Sequence, residues 1–468
     1  MKKYYFFDRT IIQPQRTRNF AIRCCKGKKY SVSVPFIQDD ELATPSANWI
    51  IRYNNGYPNV ILDPADNKYK LFITTTYVHR QDAGQHKDFP EELLKALTYA
   101  ESNDGIHWVK PSLGVVEFDG NKDNNIVMMF AHGSGVMLDE QESDPAKRFK
   151  LLTRIDYPGQ NGVVSTSFSP DGIHWQQPIP WPEHNPRADT HNFIFRDPTD
   201  NRFKLITRVW KKGLRISAMS ESSDFVNWSE PKEILRGDGY KRQVYSMPVF
   251  RFDSFYLGLA SIFHEGDMDA PDYDCVDLEL TVASDINYFD FVAPKDVLIE
   301  RGSGTYPTGD FDCGCIFAAA PIEVGNDLFV YYTGGNGLHS SERNTFLMRA
   351  SFQKDRWAYL APNIIGKPAE VMTSPFVFYG EQFKIIADAN SPEDIEVALF
   401  GSFRDLCPID GFTFSDAVLQ HESEGKFSVR FSKPYASLGN KNVCIAIKTT
   451  KAHLYALQGD FSLNSVRG

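Results

Sequence analysis

Apolar residues in this chain come in short runs, alternating or continuous, and the runs stop at Asp, Asn, Pro or Gly. Runs with that punctuation are β-strands joined by tight turns. The runs also repeat. An apolar strand, a polar turn and a second apolar strand occur five times: NVILDPADNKYKLFITT (59–75), GVMLDEQESDPAKRFKLLTR (135–154), NFIFRDPTDNRFKLITR (192–208), PVFRFDSFYLGLAS (248–261) and CIFAAAPIEVGNDLFVYYTG (315–334). A third strand follows each, in LLKALTYAES (93–102), VVSTSFS (163–169), LRISAMSES (214–222), VDLELTVAS (276–284) and FLMRAS (346–351). Each third strand leads into an Asp motif. SNDGIHW (102–108) recurs as SPDGIHW (169–175), more loosely as SSDFVNW (222–228) and SDINYF (284–289), and in short form as KDRW (354–357). A fourth strand comes next, as in GVVEF (114–118), KEIL (232–235) and DVLIE (296–300). Five units of four antiparallel strands predict an all-β fold, a five-bladed β-propeller. Within the motif, Asp accepts backbone N–H bonds, Gly tolerates φ > 0 and Trp packs between blades, so its role is structural.

From about residue 366 the blade pattern stops. QFKIIADA, EVALFG, KFSVRFS, VCIAIKTT and AHLYALQG alternate as the strands of a β-sandwich do. The predicted division is 1–362 for the propeller with an N-terminal lead-in, and 363–468 for the sandwich. One early strand is expected to close the ring with the last blade. Helix is scarce, and 90–97 is the best short candidate.

Composition agrees and narrows the partners. Hydrophobic residues make up 42% and charged residues 24% of 468, with 35 Phe and 21 Tyr, which excludes disorder and favours strands. No apolar run approaches the length of a membrane span. A net charge of −10 without a basic stripe argues against nucleic acid and anionic membranes. Neutral partners such as sugars remain compatible, and the sequence sets no oligomeric state. The seven cysteines include no CxxC pair, so buried reduced thiols are expected rather than zinc. The first residues lack the apolar core of a secretory leader, so the expectation is cytoplasmic as written, and periplasmic or secreted if a leader has been removed. No cofactor is expected. The acidic run 265–274 could hold a structural calcium, although it lacks EF-hand spacing and a solvated loop is the simpler reading.

Strand alternation sorts the polar residues by face. The segments before each first strand and the second-to-third loops share one end of the blades. The first-to-second and third-to-fourth turns share the other. Asp63, Asp144 and Asp197 therefore belong to turns. The opposite end collects Tyr53, Asn55 and Tyr57, then His132, Asp156 and Tyr157. Asp189, His191 and Trp210 follow, then Arg242, Tyr245, His264 and Glu265, and last Asp310, Asp312 and His339. Asp277 and Glu279 begin the third strand of the fourth blade. Carboxylates converging with aromatic, His and Arg side chains suit glycoside hydrolysis, in which one carboxyl protonates the leaving oxygen and another attacks or activates water. Asp189, Asp312 and Glu279 are the candidate catalytic carboxylates, with Glu279 as the acid of raised pKa because its strand is apolar. His132, Trp210, Arg242, Tyr245, Glu265 and His339 are the candidate substrate-binding residues. No Gly-rich phosphate loop opens a helix, so nucleotide chemistry is not expected.

The chain resembles the five-bladed propeller glycosidases of the invertase, levansucrase and arabinanase superfamily. More closely, it resembles bacterial proteins of the glycosyl hydrolase family 32-like group. The shared stretches are SNDGIHW with the following KPSLG (110–114), NNIV (124–127), Ala188-Asp189-Thr, Asp277-Leu-Glu279-Leu, 306–316 and 331–339. The resemblance implies hydrolysis or transfer of glycosides, often furanosides, on a plant or microbial oligo- or polysaccharide. The invertase nucleophile motif Asn-Asp-Pro-Asn-Gly is absent, and 53–59 stands in its place without an acid. Only Asp189 occupies a comparable position before a strand. A carbohydrate phosphorylase or transglycosylase is the alternative activity, with Arg242, Arg343 and His339 as a phosphate cradle. A non-catalytic carbohydrate-binding propeller is the third reading.

Overall fold

The computed structural model describes residues 1–31, 36–38, 48–79, 94–181, 186–423 and 425–464. Among these the chain is all-β, and its only helices are short 3-10 turns. No helix of the described residues is long and apolar enough to cross a membrane. Residues 94–97 of the expected short helix are part of the strand Leu94–Ser102, and 90–93 lie outside the described residues. The chain divides into two compact units: Lys26–Lys354, and Met1–Cys25 with Asp355–Gly468.

The larger unit is five successive antiparallel meanders. The first runs Asn59–Asp63, Lys68–His79 and Leu94–Ser102, with Trp108–Val109 and Ile126–Met129 along the outer edge of Leu94–Ser102. The second is Ala131–Leu138, Phe149–Ile155, Val163–Ser169 and Ile179–Pro180. The third is Phe193–Arg196, Phe203–Lys211, Leu214–Ser222 and Lys232–Leu235. The fourth pairs Gln243–Ser246 and Val249–Phe252 with Phe255–Phe263, then Val276–Ala283, then Val297–Ile299. The fifth runs Cys315–Ala318, Asp327–Gly335 and Thr345–Gln353, and its outer strand comes from Lys28–Lys29 and Ile37–Gln38. The early strand thus completes the last meander, as the sequence predicts.

Two elements differ from the sequence reading. The apolar run 114–118 joins no ladder. Val116 and Phe118 instead bury their side chains against Ile51 and Tyr77, and the Asn124 amide holds the Val116 carbonyl at 2.9 Å. The fifth Asp motif, 354–357, does not lead to a fourth strand. It leads to Ala358–Pro362, which pairs with Phe20–Cys24.

The Asp motifs are three copies of one turn. In each, the Ser hydroxyl (Ser102, Ser169, Ser222) donates to the Asp carboxylate at 3.0 Å. The same oxygen then accepts two backbone N–H groups at 2.8–2.9 Å. Gly172 has φ +83°, and a Cβ there would meet Phe72 at 2.7 Å, so both backbone and space call for glycine. Each Trp packs on the meander before it: Trp175 against Phe72, Trp228 stacked on Trp181 at 5.7 Å, and Trp108 edge-on to Tyr331 at 5.9 Å. The last contact brings the first meander against the fifth. The third and fourth share one apolar cluster through Ile206, Met219, Val244 and Met247, and the fourth meets the fifth where Val276 pairs with Cys315. Every meander therefore has two neighbours. Replacing Asp171 by Ala removes a charged acceptor from four partners, the His174 ring among them, and should cost about 1.5–3 kcal/mol, one such bond's worth, since water replaces the exposed ones. A urea melt reads this, and the site below should be unaffected.

Asp63 and Asp197 hold turns, as expected. Asp63 accepts from the Ala65 amide and pairs with Lys70 at 2.6 Å and with Arg148. Asp197 accepts from the Thr199 amide at 2.9 Å and from the Tyr256 hydroxyl at 2.7 Å.

The smaller unit corrects the predicted boundary of 1–362 and 363–468. Lys2–Tyr5 pairs with the strand His453–Leu463, and Tyr4 and Phe6 are buried in the same core as Phe376, Phe378, Ile445 and Leu457. The physical reason is an edge: His453–Leu463 exposes unpaired backbone groups unless the N-terminal strand covers them. One strand set runs Ala358–Pro362, His453–Leu463, Phe376–Asp388, Lys426–Arg430 and Val418–Ser423, and another is Ala369–Met372, Asn442–Thr449 and Ile395–Phe400. Their apolar faces supply one cluster. Cys275, Cys313, Cys315 and Cys444 are buried thiols, while Cys407 is exposed.

Candidate functional site

Polar side chains from all five meanders meet at the end that strand alternation selects. The third meander supplies most of them. Asp189 follows Ala188, which is buried with φ +46°, a conformation costly for any residue but glycine. Asn192 holds that bend by donating to the Ala188 carbonyl at 3.0 Å and to the Gly133 carbonyl at 2.6 Å. The Asp189 carboxylate accepts from Arg208 at 2.6 Å and faces Arg187 at 3.1 Å. Those guanidinium charges outweigh its burial and hold its pKa below the usual carboxylate range.

Arg208 and Trp210 are two residues apart on one strand and so share a face. Three guanidinium groups surround the Trp210 indole: Arg215 at 4.6 Å, Arg208 at 5.4 Å and Arg187 at 5.6 Å. Arg208 also lies 4.6 Å over Tyr245, and Arg215 lies 4.8 Å over Phe263. Beyond Arg215 is Glu265, bound at 2.8 Å and also contacted by the Gln243 amide. His339 packs its ring 4.9 Å from Tyr245 and 4.6 Å from Phe263. Burial, with Arg343, Arg215 and Arg208 nearby, holds it well below its usual pKa, so it is neutral. Tyr57 of the first meander stacks on His191 at 5.3 Å. The second meander adds His132, which bonds Asp156 at 2.8 Å and sits 3.0 Å from Lys95. Asp156, paired with His132 and Arg154, has its pKa lowered to about 2, and burial brings Lys95 down to about 8.

The structure therefore gathers Asp189, His132, Trp210, Tyr245, Glu265 and His339. It does not bring Glu279 or Asp312 into that group. Glu279 is buried and takes both oxygens to Arg242, at 2.7 and 2.6 Å, with the Lys295 amide at 3.0 Å. Its strand is apolar, but the charge it needs arrives from Arg242, so the expected acid is an ion-paired carboxylate. Asp312 is buried against Lys29 at 2.6 Å, the Tyr332 hydroxyl at 2.9 Å and the Gly302 amide at 3.1 Å. Asp310 accepts from the Ser303 amide at 2.7 Å. Arg242, Glu265 and Glu279 also line an adjoining cavity of about 310 Å³, with Asp277 and Tyr273.

The acidic run 265–274 is largely engaged by protein groups. Asp267 pairs with Lys241, Asp272 with His264, and Asp274 with Ser340. Among the described residues, His264, Asp272 and Asp277 could place one ligand atom each around a metal ion. Arg301 already holds Asp277 at 2.7 Å, and its positive charge opposes a cation there.

The unanticipated members of the site are Lys95, Arg154, Arg187, Arg208 and Arg215. A basic residue inside an apolar strand, two positions before a Trp, was the available signal for Arg208.

Three histidines of the site set an acid response. His132, His191 and His339 all have lowered pKa values, His191 down to about 3, because burial disfavours the imidazolium. The unfolded chain binds these protons near pH 6.5 and the folded chain does not. Their stabilisation is full above pH 6.5 and is lost as pH falls towards the folded values. Urea melts between pH 7 and 4 should show falling stability, and His191→Gln should flatten that slope by up to one proton, about 1.4 kcal/mol per pH unit.

No protein-family profile matches the chain, and no curated protein matches it. Solved structures do match. An N-acetylgalactosamine deacetylase from F. plautii, in complex with blood group B trisaccharide, is 15% identical over 72% of this chain and 95% of its own, with a TM-score of 0.46. A beta-1,2-mannobiose phosphorylase from Listeria innocua is 12% identical over 71% and 97%, with a TM-score of 0.47. An alpha-L-arabinofuranosidase from Podospora anserina is 16% identical over 70% and 97%, with a TM-score of 0.44. At these identities and scores the likenesses assign no residue and no activity to this chain.

Proposed function

We propose that this chain is a carbohydrate-active enzyme that cleaves glycosidic bonds, with its site at the centre of a five-bladed β-propeller and a β-sandwich as its second unit. The observation that carries the reading is the convergence of Asp156, Asp189 and Glu265, with Trp210, Tyr245 and four histidines or tyrosines around them, from five meanders that each pack on two neighbours. Asp189 is the base or nucleophile, because Arg208 and Arg187 keep it ionised. Glu265, paired with Arg215 and with 42% of its side chain exposed, is the second carboxylate of the site, at the far side of the Trp210 group. Exposed Tyr157, in the second meander, and Tyr240, leading into the fourth, offer faces for sugar rings. Phosphorolysis is the second reading, favoured by the number of cations beside Asp189. Turnover of aryl furanosides and pyranosides, with and without phosphate, tests both. Hydrolysis without phosphate supports the first, phosphate-dependent release of sugar phosphate the second, and binding without turnover would replace both with a binding role.

A further inference from the structure

The described charges around Trp210 do not balance. Lys95, Arg154, Arg187, Arg208 and Arg215 face Asp156, Asp189 and Glu265, five cations against three carboxylates. Arg208 is deeply buried, with 3% of its side chain exposed. Burying a cation without a full counter-charge is costly, and an ordinary core does not collect them. The aromatic rings account for part of the arrangement. They cover guanidinium faces, whereas the N–H donors point outward in the guanidinium plane and need acceptors of their own. Among the described residues, Nε and Nη1 of Arg208, Nε of Arg215 and Nε1 of Trp210 have none. Both ring nitrogens of His339 also lack a partner. Donors outnumber acceptors just where positive charge exceeds negative.

We infer that this centre binds an oxyanion belonging to its substrates: the carboxylate of a uronic acid residue, or inorganic phosphate as co-substrate. The inference rests on the carbohydrate reading above and specifies its substrate class. Arg187, with 64% of its side chain exposed, and Arg215, with 15%, form the reachable edge and take the anion by charge-assisted hydrogen bonds. Arg208 contributes its charge from behind, while Asp189 stays ionised beside it. Among the described residues, a neutral sugar would leave two excess charges uncompensated.

Calorimetric titration at fixed ionic strength tests this with galacturonic and glucuronic acids, galactose, glucose and inorganic phosphate. A uronic acid or phosphate should bind at least about tenfold more tightly than the neutral sugars, the worth of one charge-assisted bond. Arg187→Gln and Arg215→Gln should each weaken it by about the same factor, and Lys354→Gln, a distant exposed position, should not. Arg187 is exposed, so its variant should fold even if that of Arg215 does not. Tight uronate binding without phosphate binding identifies the carboxylate, and the reverse identifies phosphate. Neutral sugars binding as well as uronic acids, with no phosphate binding, overturns the inference and leaves the carbohydrate reading standing. Phosphate binding with no sugar binding upholds the anion site and overturns the carbohydrate reading. Binding of none of the probes overturns the inference.

Discussion

Replacing Asp189 by Asn should lower turnover by about 10²- to 10⁴-fold, the usual worth of a positioned acid, base or nucleophile. The substitution keeps size and one acceptor oxygen, so Arg208 retains a hydrogen bond while losing a counter-charge. The fold around Asp189 does not depend on that charge, because Asn192 and the close approach of Gly133 to Thr190 set the backbone there. Near-native secondary structure with lost turnover is the expected pairing. Asp312→Asn is the matched control. Its carboxylate is enclosed by Lys29, Tyr332 and Gly302, and its loss should reduce stability and leave turnover per folded molecule within a few-fold.

Glu279→Gln should cost about 3–5 kcal/mol, the penalty for stranding one member of a buried ion pair. Glu279 and Arg242 have 1% and 6% of their side chains exposed, and Nη2 of Arg242 donates to both carboxylate oxygens. The neutral amide cannot satisfy the guanidinium, and Asp238, largely exposed, is the remaining partner of Arg242. Replacing both partners by apolar residues of similar volume, as in Arg242→Met with Glu279→Leu, should recover most of the loss, because the desolvation cost of both charges disappears together. Denaturant melts of the two singles and the double form a cycle that separates the pair from its surroundings. A stable Glu279→Gln protein that has lost all turnover would instead mark Glu279 as catalytic.

What could be read from the sequence was local. The Asp turns were legible because Ser and Asp carry out their bonding within a few residues. The end of the meanders that collects the candidate site followed from strand alternation alone, and Asp189, His132, Trp210 and Glu265 lie there. What failed was long-range partnership. Glu279 and Asp312 look like free acids until Arg242 and Lys29 are seen beside them, and Lys29 comes from a strand near the N-terminus. The same distance hid the first 25 residues, whose strands pair with Ala358–Pro362 and His453–Leu463. The arginines were passed over because a basic residue in a strand such as 203–211 reads as a surface position. Only the packing of Trp210, Tyr245 and Phe263 reveals that Arg208 and Arg215 point inward.

The central claim is that the group around Asp189 performs chemistry on a glycoside. Initial rates of the native protein and of Asp189→Asn, on neutral and uronic aryl glycosides with and without phosphate, test it most directly. The account predicts turnover of at least one glycoside by the native protein and a loss of about 10²-fold or more in the variant. Equal rates from the two folded proteins would contradict it.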